Sequence, residues 1–170
     1  MAEKTLRNTV RQVYGYRCGY CGVHEEEVGS ELELDHFQPR AAGGGDEPEN
    51  LVYCCSMCNR LKGDFWPADV LAPTQRRLLH PQREPMPLHL QEEVDGRLKG
   101  LTETGSFHIE RLRLNRPPLV ALRCARQRVP QFQRALTVAQ EEREKLRTRI
   151  TSLEGELEKV LEQLARLLNG

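Results

Sequence analysis

Aromatic side chains are scarce in this 170-residue chain, at 5% of positions with a single Trp. That excludes a large aromatic-rich core. With 38% hydrophobic and 29% charged residues, the chain builds a modest core and keeps much polar surface. Net charge is absent as well, since 25 basic and 25 acidic residues cancel, and an even spread of such charge would argue against a nucleic-acid partner. No apolar run approaches the roughly 18 residues of a membrane span, and the opening MAEKTLRNTV carries no signal-peptide apolar core. A soluble, cytoplasmic protein is expected. No repeat of roughly 20 to 50 residues is visible, which excludes a solenoid. The length suits one domain, or a small domain with an appendage.

The charge is in fact unevenly spread. Residues 1–64 hold seven Lys/Arg and eleven Asp/Glu, residues 65–130 hold eleven and seven, and residues 131–170 hold seven of each. Seven arginines fall between Arg111 and Gln140 with no acid among them. This stripe has two readings, a phosphate-neutralising patch including Arg123 and Arg126, or a solvated helix face.

Six cysteines in a reducing compartment point to metal rather than disulfides. Cys18-Gly-Tyr-Cys21 and Cys55-Ser-Met-Cys58 are two C-x-x-C knuckles, and four thiolates make a closed tetrahedral zinc site of the structural kind. The 33 residues between the knuckles exceed the common zinc-finger spacer of roughly 15 to 20, so a separate unit is inserted there. His24 and Cys54 are competing, less well spaced ligands, and Cys124 reads as an ordinary cysteine.

Local patterning predicts a short helix to about Arg17 with Leu6, Val10 and Val13 on one face. A half-buried strand follows at Leu32 and Leu34, then a loop from Pro39 to Asn50, a return strand at Leu51 to Tyr53, and a helix from Ser56 to Lys62 ended by Gly63. Pro73 to Pro87 is irregular. Turn signals at Asp95-Gly96 and Thr104-Gly105 predict a three-stranded meander over Leu88 to Val94, Arg97 to Leu101 and Phe107 to Leu114. Pro117-Pro118 then opens a long helix. From Phe132 the apolar positions Leu136, Ala139, Leu146, Ile150, Leu153, Leu157, Val160, Leu164 and Leu167 follow an a/d heptad seam in which Arg143 fills one slot, widened by Leu161 and Leu168. A coiled coil with a second copy or a partner protein is one reading, and a helix folded back on its own domain is the other. The expected organisation is α+β, with a core over residues 1–72, an irregular linker and β meander over 73–116, and a long helix over 117–170 that is a coiled coil from about 132.

The inserted unit holds Leu34-Asp35-His36-Phe37, a Gly-rich loop, Glu49-Asn50-Leu51-Val52, and Cys58-Asn59-Arg60-Leu61-Lys62-Gly63-Asp64. Phosphodiester hydrolysis needs a base for water and a hard cation for the phosphate oxygens and leaving alkoxide. His36 is the natural base, because imidazole titrates near neutrality. Asp35 and Asn59 offer the oxygens that Mg²⁺ or Mn²⁺ prefers, and Lys62, Arg60 and Arg40 are candidates to contact DNA. Over residues 14–66 the whole set resembles the HNH endonucleases that carry an added zinc-binding cysteine quartet. That resemblance implies a ββα-metal fold and metal-dependent cleavage of DNA, and it gives Asn50 the task of holding the histidine-bearing loop. Enzymes of this kind serve restriction and phage defence, among other pathways. The third signature position is Asn59 instead of histidine, which biases the site toward Mg²⁺ or Mn²⁺. The alternative function is a non-catalytic zinc module that binds nucleic acid or a partner protein.

Overall fold

The structure, a computed structural model, describes residues 2–67 and 76–168. The expected boundary at residues 72 and 73, the start of the irregular stretch at Pro73 and the Leu167 seam side chain lie outside the described residues or side chains. The chain divides into two units, Met1–Cys124 and Ala125–Gly170.

The first unit opens with helix α1 (Ala2–Val13). Its inner face is Val10, fully buried, with Leu6 partly covered, whereas Val13 points to solvent instead of completing the expected stripe. Arg11 of α1 forms a two-point ion pair with Glu25, at 2.8 and 2.5 Å, and Glu25 also accepts the Tyr53 hydroxyl at 2.8 Å. Glu25 begins a one-turn helix, α2 (Glu25–Val28), whose N-cap is His24 in a capping box with Glu27.

Strands β1 (Glu33–His36) and β2 (Leu51–Cys54) pair antiparallel, with Glu33 opposite Cys54 and His36 opposite Leu51. All four residues of β2 are buried, so its unbroken apolar run reads as a core strand rather than an alternating one. Helix α3 (Ser56–Lys62) follows at once and ends at Gly63, as its breaker signal predicts. Strand, loop, strand and helix therefore occur in the ββα order.

A second hairpin pairs β3 (Leu90–Glu92) with β4 (Leu98–Gly100), turning at Asp95-Gly96 with Gly96 at φ +76°. The predicted third strand of the meander is not one: Glu103–Arg111 is helix α4. Thr102 caps it by accepting the Gly105 amide at 3.0 Å, so Thr104-Gly105 is a first helical turn and not a hairpin turn. Gly105 is required there because a Cβ would overlap the His89 carbonyl oxygen. Leu112, Leu114 and Leu119 complete the core against β2 residues and Tyr20. Helix α5 (Pro117–Leu168) starts in the first unit. In the second unit its large apolar side chains, from Phe132 to Leu164, are exposed.

Candidate metal centre and active-site cleft

Cys18 and Cys21 leave α1 through a turn in which Gly22 adopts positive φ, and Cys55 and Cys58 sit at the start of α3. The four Sγ atoms lie within 4.8 Å of one another, and those of Cys21 and Cys55 are 3.8 Å apart. A tetrahedron with Zn–S bonds of about 2.3 Å has S···S edges of about 3.8 Å, so the quartet fits a structural zinc ion. His24 does not converge with the four thiols and caps α2 instead, its Nδ1 accepting the Glu26 amide at 3.2 Å. Cys54 is buried outside the quartet and Cys124 contacts the Asp95 carbonyl. Arg116 is an addition that the sequence did not single out. Its guanidinium donates toward Cys58 Sγ at 3.6 Å and Cys55 Sγ at 4.0 Å, placing positive charge against the thiolates. Among the described residues no other group of three His, Cys, Asp or Glu side chains converges in this way.

The candidate catalytic residues lie one strand away. Asp35 and His36 end β1 and, with Arg40, Lys62 and Asp64, line a cleft of about 220 Å³. Asp35 is nearly buried and accepts Lys62 Nζ at 3.0 Å on one oxygen and the Tyr20 hydroxyl at 2.8 Å on the other. Burial pushes its carboxyl above the usual carboxylate range, against the pull of Lys62. His36 Nε2 lies 2.7 Å from Asp46 Oδ1, and Arg40 donates to the same oxygen at 2.6 Å with its Nε 3.3 Å from Nε2. The contacts to His36 and Arg40 hold the Asp46 carboxyl below its ordinary value. Asp46, ten residues on and in the Gly-rich loop, carries no sequence signal that would have flagged it.

Asn50 ties that loop shut. Its Oδ1 accepts the Gln38 amide at 2.9 Å, and its Nδ2 donates to the Gln38 and Gly45 carbonyls at 3.1 and 2.8 Å. Gly44 packs so closely on the Gln38 carbonyl that a Cβ would overlap it. Asn59 faces β1 but meets Glu33 rather than Asp35, donating its amide to Glu33 Oε2 at 2.6 Å. Hydrogen bonds from Asn59 and Ser56 hold the Glu33 carboxyl low. By donor type these residues still suit a hard divalent ion: carboxylate oxygens come from β1 and an amide oxygen from α3.

Two of the proposed DNA contacts need correction. Lys62 is 1% exposed and its ammonium is spent on Asp35 and on the His36 and Gly63 carbonyls, so it is a structural cation beneath the cleft. Arg123 is buried, donating to the Gly96 and Leu114 carbonyls. Arg40 lines the cleft, Arg60 is exposed on α3, and Arg126 falls in the second unit. Of the rest of the stripe, Arg111, Arg113, Arg128 and Arg134 are exposed and Arg116 and Arg126 are half-buried; Arg111 donates to the Lys62 carbonyl at 3.0 Å and Arg116 to the Leu112 carbonyl at 3.1 Å.

No described helix is long and apolar enough to cross a membrane. No curated protein and no solved structure matches the chain. The model of the family described as HNH endonuclease matches residues 18–65, the span that runs from the first knuckle past Lys62 and Gly63. With four thiols gathered as a metal site inside the matched span and a ββα order around them, residues 18–65 resemble the HNH domain that this family model describes.

Proposed function

We propose that the protein is a metal-dependent endonuclease that hydrolyses DNA phosphodiester bonds, with His36 as general base. The observation that carries this reading is the setting of His36, which lies at the end of β1 on a cleft with its Nε2 held 2.7 Å from Asp46. A carboxylate on one ring nitrogen fixes the tautomer and stabilises the imidazolium that forms, which leaves Nδ1 to take the proton of the attacking water. Asn50 keeps the loop that carries Asp46 closed behind the end of β1, where His36 sits, by three hydrogen bonds. Arg40, at the cleft rim, receives a phosphate oxygen, and Arg60 adds positive charge along α3. Asp35 and Asn59 are the residues that would hold Mg²⁺ or Mn²⁺, Asn59 through the amide oxygen that its bond to Glu33 leaves over. A bound ion there supplies counter-charge to the phosphate oxygens and relief for the leaving alkoxide. The cysteine quartet holds zinc and takes no part in the reaction. The heptad seam of α5 associates with another helix, from a second copy or a partner protein.

A specific observation favours a second reading. Both Asp35 oxygens are already taken by Lys62 and Tyr20, and Asn59 is turned to Glu33, which suits a zinc module that binds nucleic acid without cutting it.

Plasmid nicking separates the two. The intact protein is expected to nick supercoiled plasmid with Mg²⁺ or Mn²⁺, and His36→Ala to lose about 10² to 10⁴ in rate with zinc content unchanged. Plasmid retention in a gel without nicking under either ion would establish the binding module, and unchanged nicking by His36→Ala would remove His36 as the base.

A further inference from the structure

Heptad position decides more about α5 than its apolar seam alone. With Ile150, Leu157 and Leu164 at a positions and Leu146, Leu153 and Val160 at d positions, the flanking g positions are Glu142, Arg149 and Glu156 and the flanking e positions are Arg147 and Glu154. The seam side chains from Leu146 to Leu164 are 46% to 64% exposed, a continuous apolar stripe open along one side of the helix. Gly155 falls at the outer f position, where nothing approaches within 4 Å of a Cβ, so its small size serves no contact on the seam side.

We propose that this stripe is covered by a second copy of the same chain in a parallel, in-register, two-stranded coiled coil. The choice of occupant rests on charge. In the parallel register each g residue meets the e residue five positions on in the other strand. Glu142 then faces Arg147 of the second copy, and Arg149 faces Glu154 of the second copy. Both pairs are attractive and the two-fold axis repeats them, giving four. No g–e pair along the seam opposes like charges.

The fully overlapped antiparallel arrangement has the opposite character. It sets Arg149 against Arg149, Arg147 against Arg147, and Glu142 against Glu156, so every close pair of charges repels. Sliding the antiparallel strands by one heptad restores opposite charges, but one direction carries the layer opposite Phe132 past Leu168, the last residue of α5, and leaves Phe132, 72% exposed, facing nothing. The other direction sets Val160 and Leu164 against Val129 and Ala125, before the seam begins at Phe132. The parallel register pairs the flanking g and e charges favourably while keeping the seam from Phe132 to Leu164 in register, and Arg143 against its own copy is the one like-charge contact it carries.

Arg143 completes the argument. It occupies an a position in the middle of the seam, where the parallel register stacks it on its own copy. A polar residue at a single a position lowers stability but fixes register and strand number. In two strands the long stems run along the seam and the guanidinium groups reach water at its edge. A third strand would enclose them. The two N-terminal units of such a pair leave the coil from the same end, because each is joined to its N-terminus.

Light scattering on the intact chain tests the occupant, and an engineered thiol tests the orientation. The expected mass is twice 19.5 kDa. A monomer at tens of micromolar, or a trimer, overturns the proposal. Ala139→Cys, at a d position, is expected to give a self-linked dimer under oxidised glutathione beyond any formed by the parent chain, whereas antiparallel strands would keep the two thiols apart. A dimer that does not cross-link overturns the parallel register. Arg149→Glu and Glu154→Arg are each expected to weaken dimerisation by about tenfold, and the double variant to restore it. Failure of the double variant to recover would show that these two positions do not face one another. These readouts are independent of DNA cleavage, so they stand or fall apart from the nuclease reading.

Discussion

The Arg116 guanidinium lies 3.6 Å from Cys58 Sγ, at the edge of the four-thiol site. Four thiolates around one divalent zinc carry a net negative charge, and a cation beside two of them stabilises that state. Arg116→Ala is expected to lower zinc affinity by about 10- to 100-fold, measured by competition with a chromophoric chelator. Arg116→Lys should recover part of the loss. Unchanged zinc competition by the alanine variant would make Arg116 a helix-end hydrogen bonder and nothing more.

Lys62 gives a prediction opposite to that of a DNA contact. It is sealed beneath the cleft and paired with Asp35 at 3.0 Å. Lys62→Met leaves a buried carboxylate without its cation, which should cost about 3 to 5 kcal/mol in urea unfolding. A variant of normal stability but weakened DNA retention would return Lys62 to the phosphate-binding set.

Acid sensitivity should trace to Glu25. Its carboxyl is lowered from 4.5 to about 2, chiefly by the hydrogen bond from Arg11 and also by that from Tyr53. A group with a depressed folded-state value stabilises the fold above its ordinary value, and that stabilisation is lost as pH falls through the folded one. The unfolding midpoint is therefore expected to drop between about pH 4.5 and pH 2. Glu25→Gln should remove that part of the slope, and an unchanged pH profile would place the acid sensitivity elsewhere.

The close approach of Gly105 to the His89 carbonyl makes the α4 cap intolerant of any side chain. Gly105→Ala is expected to destabilise by about 1 to 3 kcal/mol, although alanine favours helices in general. A gain in thermal midpoint would show that the β3 end gives way easily.

The ββα core was legible because its signals are local. The C-x-x-C spacings, the Gly63 breaker and the apolar run of β2 each act within a few residues, and α3 falls where they place it. Residue 107 onward was misread as a strand because Thr104-Gly105 resembles a hairpin turn until Thr102 is seen to cap a helix. Arg123 misled for a different reason. A guanidinium that binds backbone carbonyls looks the same in sequence as one that faces solvent, and Arg123 and Arg116 are of the first kind. The Asp46 contact with His36 and the Glu33 contact with Asn59 depend on how a loop closes and how a helix is rotated, neither of which has a spacing rule.

The pairing of β1 with β2 is only four residues long on each side, and a two-stranded ribbon of that size is marginal in water. A zinc ion on the quartet would tie the turn before it to the helix after it, adding to the burial of β2 in the core. Cys18 and Cys21 precede Cys55 and Cys58 in the chain, so the site stays half built until the second knuckle is made. Zinc limitation is therefore expected to leave residues 18–65 open to proteolysis, with abundance falling before any rate constant does.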